Sequence, residues 1–116
     1  MTEEIKFQDW QKLDLRIGKI LKVEDIEGAD KLYKLSIDLG KEKGKRTLVA
    51  GLKAHYKKEE LKGKTCVIFT NLEPRKIKGI ESQGMILAAV EETGNGEEIV
   101  KILRPDSEVE IGSRVR

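Results

Sequence analysis

Tyr33, Leu35, Ile37 and Leu39 recur at every second position, with Lys34, Ser36 and Asp38 between them. That alternation suits a pleated strand with one buried face, and a one-residue slip would turn the whole apolar set to solvent. The preceding stretch, Leu13 to Val23, begins the same way: Leu13, Leu15 and Ile17 alternate with Asp14 and Arg16. Gly18 then breaks the pattern, and the apolar positions shift to Ile20, Leu21 and Val23. A glycine inside a strand pattern predicts a bulge or a sharp coil, as a sheet needs when it closes on itself.

The remaining segments follow from their punctuation. Glu27-Gly28-Ala29-Asp30 reads as a turn, and Gly40 to Lys45 as a polar hairpin connection. Thr47 to Gly51 is a short third strand. Leu52 to Leu61 is predicted as the one short helix, with Leu52, Tyr56 and Leu61 as its buried stripe and Gly63 as its stop. Thr65 to Leu72 is nearly continuously apolar, so a fourth strand buried on both faces is expected. Met85 to Val90 is the fifth, Gly94-Asn95-Gly96 a turn, and Ile99 to Leu103 a further short strand before Pro105 and a loop. The expectation is a single all-β domain over residues 1–116. It is a five-stranded OB-fold Greek-key barrel, with one short helix between strands 3 and 4 and a short C-terminal strand and loop extension. An SH3-like or other small barrel with a basic edge is the alternative.

Charge is unevenly placed. Lys and Arg total 23 and Asp and Glu 21, for a net +2. Residues 40–80 nevertheless hold 12 cations against 4 carboxylates, while residues 81–116 hold 4 against 8. The sharpest concentration is Asn-Leu-Glu-Pro-Arg-Lys-Ile-Lys-Gly from Asn71 to Gly79, where Arg75, Lys76 and Lys78 lie in a connection bounded by Pro74 and Gly79. Pro74 removes a backbone donor and biases Glu73 away from helix. Cations held out on a stiff connection between strands suit a phosphate backbone, where Arg forks onto oxygens and Lys acts as a point charge. In an OB-fold, oligonucleotides are held by the strand 2–3 face and the loops joining strands 1–2 and 4–5. The Arg75–Lys78 loop falls on the 4–5 connection and the basic Lys41–Arg46 hairpin on the 2–3 connection. The competing reading is an ordinary solvated surface.

Other classes find little support. His55, the only histidine, sits amid lysines, and Cys66 lies within an apolar strand pattern; neither has a partner for a nucleophile–base pair. No metal-ligand spacing, phosphate-binding loop or dinucleotide fingerprint occurs, so neither catalysis nor a metal or other cofactor is expected. No apolar run is long enough to cross a membrane, the opening Met-Thr-Glu-Glu has no leader pattern, and the lone cysteine fits a reducing cytoplasm. The Lys-, Glu- and Ile-rich usage is a compositional hint of a thermophile. Only five aromatics are present, which argues against a generic single-strand binder with stacking platforms and favours a structured RNA read through backbone and shape. A pure protein–protein adaptor would expose an apolar patch and bind no RNA.

With these residues in hand, the chain resembles the tRNA-binding OB domain of methionyl-tRNA synthetase and its free-standing relatives. The matching pieces are Lys12-Leu13-Asp14-Leu15-Arg16-Ile17-Gly18-Lys19-Ile20, Ala29-Asp30-Lys31-Leu32-Tyr33, Arg46-Thr47-Leu48-Val49-Ala50-Gly51-Leu52, Asn71 through Met85, and Gly112-Ser113-Arg114-Val115-Arg116. Two departures stand out. Ile26-Glu27-Gly28 replaces a His-Pro, and Lys58 replaces a proline. The resemblance implies a non-catalytic module that binds tRNA with little sequence preference and assists methionyl-tRNA synthetase, as a detached β-subunit or stand-alone protein. Free-standing members of this family are typically homodimers; the Phe7–Trp10 segment and the Ile99–Val115 region are the expected contact. It also implies that Asn71 and Ser82 contact sugar or base edges, that Met85 packs on a base or sugar, and that Lys31 and Arg46 make outer contacts. Local readings compete: Asn71 caps a strand end, Ser82 ties the turn and Met85 fills the core. A second branch of the family, an export-related chaperone-like protein, keeps the Pro-Arg-Lys region. It lacks the Ala-Asp-Lys-Leu and Glu-Ser-x-Gly-Met elements present here.

Overall fold

The computed structural model describes residues 2–116. Strand β1 (Leu15–Ile26) is the spine. Its second half pairs antiparallel with β2 (Ala29–Asp38) from Lys19↔Asp38 to Ile26↔Ala29. Its first half pairs with β4 (Thr65–Phe69) from Leu15↔Phe69 to Lys19↔Thr65. Strand β3 (Lys45–Ala50) adds to β2, and the two-residue β7 (Met85–Ile86) adds to β4, giving the order β3-β2-β1-β4-β7. Two hairpins stand on this sheet. One is β5 (Arg75–Ile77) with β6 (Ile80–Ser82); the other is β8 (Ala88–Glu92) with β9 (Glu98–Ile102). A C-terminal β10 (Arg114–Val115) pairs with the start of β1. The all-β, OB-like layout agrees with expectation, while its fifth strand divides into β7 and β8 because Leu87 turns between two partners. Its N–H reaches Val67 at 3.0 Å and its carbonyl accepts from Leu103 at 3.0 Å.

The β2 alternation is realised as read. Leu35, Ile37 and Leu39 are fully buried and Tyr33 nearly so, packing with Ile20, Leu48, Leu61 and Ile68. Gly18, however, stays in register opposite Cys66; the shift in pairing falls between Ile20 and Lys22. Glycine is needed at 18 for closeness, since a Cβ there would lie 2.7 Å from Ile37 Cγ2 and 3.0 Å from Ile68 Cγ1. The turn expected over Glu27–Asp30 tightens to Glu27-Gly28, with Ala29 already in β2. The Gly40–Lys45 connection holds one helical turn, α2 (Gly40–Lys43).

The helix expected over Leu52–Leu61 contracts to α3 (Lys58–Leu61). Tertiary bonds break the longer helix. The Tyr56 carbonyl accepts from the Tyr33 hydroxyl at 2.7 Å, and the Tyr56 hydroxyl accepts from the Ile102 N–H at 3.1 Å. Lys57 is then extended, and its N–H is taken by Glu60 Oε1 at 2.7 Å. Of the aromatics, Tyr33 is buried and Tyr56 and Phe69 partly so, whereas Phe7 and Trp10, on the single turn α1 (Phe7–Trp10), lie outside the core.

Two polar arrangements complete the barrel. No direct ladder joins β3 to β7; two side-chain bonds and one backbone bond to Ser82 and Gln83 close the gap instead. Val49 N–H donates to Ser82 Oγ at 3.0 Å, Thr47 N–H to Gln83 Oε1 at 3.1 Å, and Gln83 N–H to the Thr47 carbonyl at 2.9 Å. At the other end, Asp14 gathers four segments. Its carboxylate takes Arg16 Nε at 2.6 Å and Lys43 Nζ at 2.9 Å. Its N–H donates to Asn71 Oδ1 at 2.8 Å, and its carbonyl accepts from the N–H and hydroxyl of Thr70 at 2.9 and 2.8 Å. Arg16 reaches on to the Gly112 carbonyl at 3.2 Å. Burial alone would raise the Asp14 pKa, but the hydrogen bonds and charges of Arg16 and Lys43 outweigh it and bring it down to about 2.

Two outcomes test these closures. Ser82→Ala strands the Val49 N–H and is expected to cost roughly 1–3 kcal/mol in urea unfolding; a cost within error would remove Ser82 from the closure. The Asp14 pKa falls from 3.8 unfolded to about 2 folded, so its stabilisation is present above about pH 4 and is lost as pH drops through 2. Asp14→Asn is therefore expected to lose about 2 kcal/mol at pH 7, with the gap to wild type closing between pH 4 and 2 in acid titrations. A gap independent of pH would contradict the charge pairing.

Candidate nucleic-acid interface

The segment expected as a loop between Asn71 and Met85 is a hairpin. Its strands pair Arg75↔Ser82, Lys76↔Glu81 and Ile77↔Ile80 around the two-residue turn Lys78-Gly79. Lys78 has φ 53° and Gly79 φ 79°, the left-handed pair that a tight hairpin of this hand requires. Lysine is poorly suited to that region, and holding it there costs about 1 kcal/mol or more. Lys78 is the non-glycine residue with positive φ among the described residues.

Arg75, Lys76 and Lys78 are exposed. Among the described residues none of the three forms an ion pair within 4 Å, although Asp14, Asp25 and Glu24 all pair with lysine or arginine elsewhere. Pairing would have spent their charge on the protein's own carboxylates; left open, it faces solvent on a hydrogen-bonded support.

The other site residues divide. Asn71 is exposed but uses both ends of its amide on the chain: Oδ1 accepts from Asp14 and Nδ2 donates to the Lys12 carbonyl at 2.6 Å. Arg46 donates to the Thr70 carbonyl and, at 3.4 Å, to that of Gln83. Ser82 is buried, its hydroxyl accepting from Val49 and donating to the Gly84 carbonyl at 3.2 Å. These three root the hairpin in the barrel. Met85 is 40% exposed at the hairpin's base, so it does not fill the core. Lys31 is exposed at the start of β2.

Three clefts surround the hairpin. One, of about 490 Å³, lies between Lys43, Arg46, Asn71, Pro74 and Gln83. A second, of about 750 Å³, runs past Lys31, His55 and the acidic tip of β8–β9 at Glu92, Glu97 and Glu98. A third, of about 320 Å³, is lined by Arg75, Met85 and strand residues and shares Gly51, His55 and Glu98 with the second. Lys31 and Arg75 therefore line two neighbouring clefts. Sequence reading missed Asp14 and Gln83 as supports, because their partners lie 57 and 36 residues away. The acidic wall was visible as Glu91-Glu92 and Glu97-Glu98, but only the fold brings it beside the basic hairpin.

The remaining nucleophile and base show no such convergence. Burial pushes the Cys66 thiol up to about 12, which leaves it protonated at neutral pH. No helix among the described residues is long and apolar enough to cross a membrane.

Comparison with known proteins identifies the family. The family model described as "Putative tRNA binding domain" matches residues 15–114. The chain is 55% identical over 114 residues to the methionine–tRNA ligase of Pyrococcus horikoshii, a match covering 98% of this chain and 15% of that protein. It thus spans about 15% of the length of such relatives. Among solved structures, a MetRS-related protein from Pyrococcus horikoshii superposes with a TM-score of 0.86 at 36% identity, covering 99% of this chain and all (100%) of that one. The chaperone CsaA from Bacillus anthracis superposes with a TM-score of 0.85 at 30% identity, covering 98% and 100%. With the family model spanning nearly the whole chain, this chain belongs to the tRNA-binding domain family.

Proposed function

We propose that residues 1–116 act as one non-catalytic module that holds structured tRNA chiefly by its phosphates and assists methionyl-tRNA synthetase in trans, in the cytoplasm, as a detached β-subunit. The observation that carries this reading is the hairpin with three exposed cations, Arg75, Lys76 and Lys78, that find no carboxylate partner among the described residues. Met85 and Lys31 line two neighbouring clefts and extend the footprint; Asn71, Arg46 and Ser82 serve it by anchoring the hairpin. Support also comes from the relatives named as methionine–tRNA ligases.

The module works as a homodimer in this reading. Ile5 is 75% and Phe7 70% exposed, and Phe7, Trp10, Leu13 and Val115 line a groove of about 310 Å³ together with Gln11, Arg114 and Arg116. Beneath it lies the smaller core of Leu15, Ile17 and Val67. Two copies joined there would present two basic hairpins to one polyanion and gain effective concentration. The chaperone reading has one observation in its favour, the near-equal superposition on proteins named as chaperones.

Fluorescence anisotropy with tRNA across a salt series separates the readings. Wild type is expected to bind tRNA better than oligo-dT, with a log–log salt slope that becomes shallower by roughly two to three in the Arg75→Ala/Lys76→Ala/Lys78→Ala variant. An unchanged slope, or no tRNA binding by wild type, overturns the assignment and advances the chaperone or adaptor reading. Sedimentation at micromolar concentration is expected to give a dimer that Phe7→Ser/Trp10→Ser converts to monomer; a wild-type monomer removes the dimer.

A further inference from the structure

The third cleft beside the hairpin is more than a gap. Its floor is apolar and made of strand: Val49, Ala50, Ile86, Ala88 and Val100, with Ala50 and Val100 buried. Its mouth carries two hydrophobic side chains that the fold leaves in water, Met85 at 40% and Val90 at 56% exposure. Its polar lining is confined to Arg75, His55 and Glu98. Arg75 belongs to the basic hairpin, whereas Glu98 belongs to the β8–β9 hairpin, whose exposed Glu91, Glu92 and Glu97 make that side strongly negative.

A cleft that sets a cation and a carboxylate beside apolar strand side chains matches the chemistry of one nucleotide. The phosphate is anionic and belongs on Arg75; it is repelled from the acidic hairpin. The base is flat and largely apolar on its faces, and an exocyclic amino group on its edge donates to a carboxylate. We infer that this cleft receives one unstacked base of the bound RNA, one that carries an exocyclic amino group (cytosine, adenine or guanine), which Glu98 accepts while Arg75 holds its phosphate. Uracil lacks that amino group, and a base inside a duplex cannot leave its stack without paying the unpairing free energy. The cleft therefore selects an unpaired amino-bearing base over uracil on an otherwise sequence-blind phosphate grip. This inference rests on the RNA-binding reading above and adds a second recognition element to it.

The test uses the full chain and three RNAs matched in phosphate number: a hairpin with a cytosine-containing loop, the same hairpin with uracil in its place, and a blunt duplex. Affinities are read by anisotropy at several salt concentrations. Wild type is expected to prefer the cytosine loop over the other two by about 5-fold or more, the scale of a single base contact. The ratio between the two loops is expected to stay constant with salt, because both lose the same phosphate contacts. Glu98→Ala should erase the preference for cytosine over uracil. Val90→Trp, at an exposed position outside the core, should fill the mouth and lower loop affinity toward that of the duplex. As a second measurement, 2-aminopurine in the unpaired loop should brighten on binding as it leaves its stacked neighbours for an aliphatic cleft.

Equal wild-type affinity for the three RNAs with a steep salt slope overturns this inference and leaves the phosphate-binding reading standing. No binding to any RNA overturns both. A Val90→Trp variant that changes sedimentation but not RNA binding assigns the cleft to a second copy of the chain and overturns the base assignment as well.

Discussion

Asp14 is the residue on which the geometry of the site depends. It stands just before β1 and binds through all three of its polar parts: the carboxylate to Arg16 and Lys43, the N–H to Asn71 and the carbonyl to Thr70. One residue thereby ties together the start of the spine, the turn after β2, the end of β4 and, through Arg16, the C-terminal segment at Gly112. Hydrogen bonds to an ionised group are stronger than neutral ones, and here the carboxylate is only partly hydrated, so the clamp holds more firmly than a surface ion pair. The basic hairpin leaves the barrel immediately after this clamp. Its direction is set by Asn71 and Thr70 before the first exposed cation is reached.

Rigidity behind exposed charge has a function-related consequence. A cation on a floppy loop must lose conformational freedom when it meets a phosphate; a cation on a paired strand has lost it already. Arg46 on β3, and Ser82 and Gln83 at the end of β6, supply that rigidity by side-chain bonds that tie the hairpin to the barrel. Lys78 carries the same logic further. Its left-handed backbone is unfavourable for lysine, where asparagine or glycine would sit with less strain. Strain tolerated at an exposed tip fits a residue retained for its charge.

Much of the fold was legible where the pattern was local. The alternation from Tyr33 to Leu39 needed no partner to be read, and the core shows it faithfully. The fourth strand announced itself by continuous apolarity over Thr65 to Leu72, though the fold ends it at Phe69, where Thr70 turns its N–H and hydroxyl to the Asp14 carbonyl. Reading failed where distant groups intervened. The Leu52–Leu61 helix was cut short because Tyr33 and Ile102 claim Tyr56, and neither is near it in the chain. Gly18 was correctly singled out but for the wrong reason: Ile37 and Ile68 crowd it, and only the folded sheet places them there. At the site, the charges of Arg75, Lys76 and Lys78 were plain and local roles for Asn71 and Ser82 could be weighed, whereas the supporting work of Arg46 could not, since the carbonyls it binds, Thr70 and Gln83, lie 24 and 37 residues away.

The amino-acid sequence by itself determined the sheet-forming periodicity, the excess of cations over residues 40–80 and the family resemblance, because each is a property of residues in order. Tertiary structure alone decided which polar groups remain free. Whether a side chain faces solvent or satisfies a buried backbone group depends on what lies across the barrel. It also decided that the acidic β8–β9 hairpin stands beside the basic one with an apolar cleft between them. That juxtaposition joins segments whose ladders form independently, and only closure of the barrel brings them face to face.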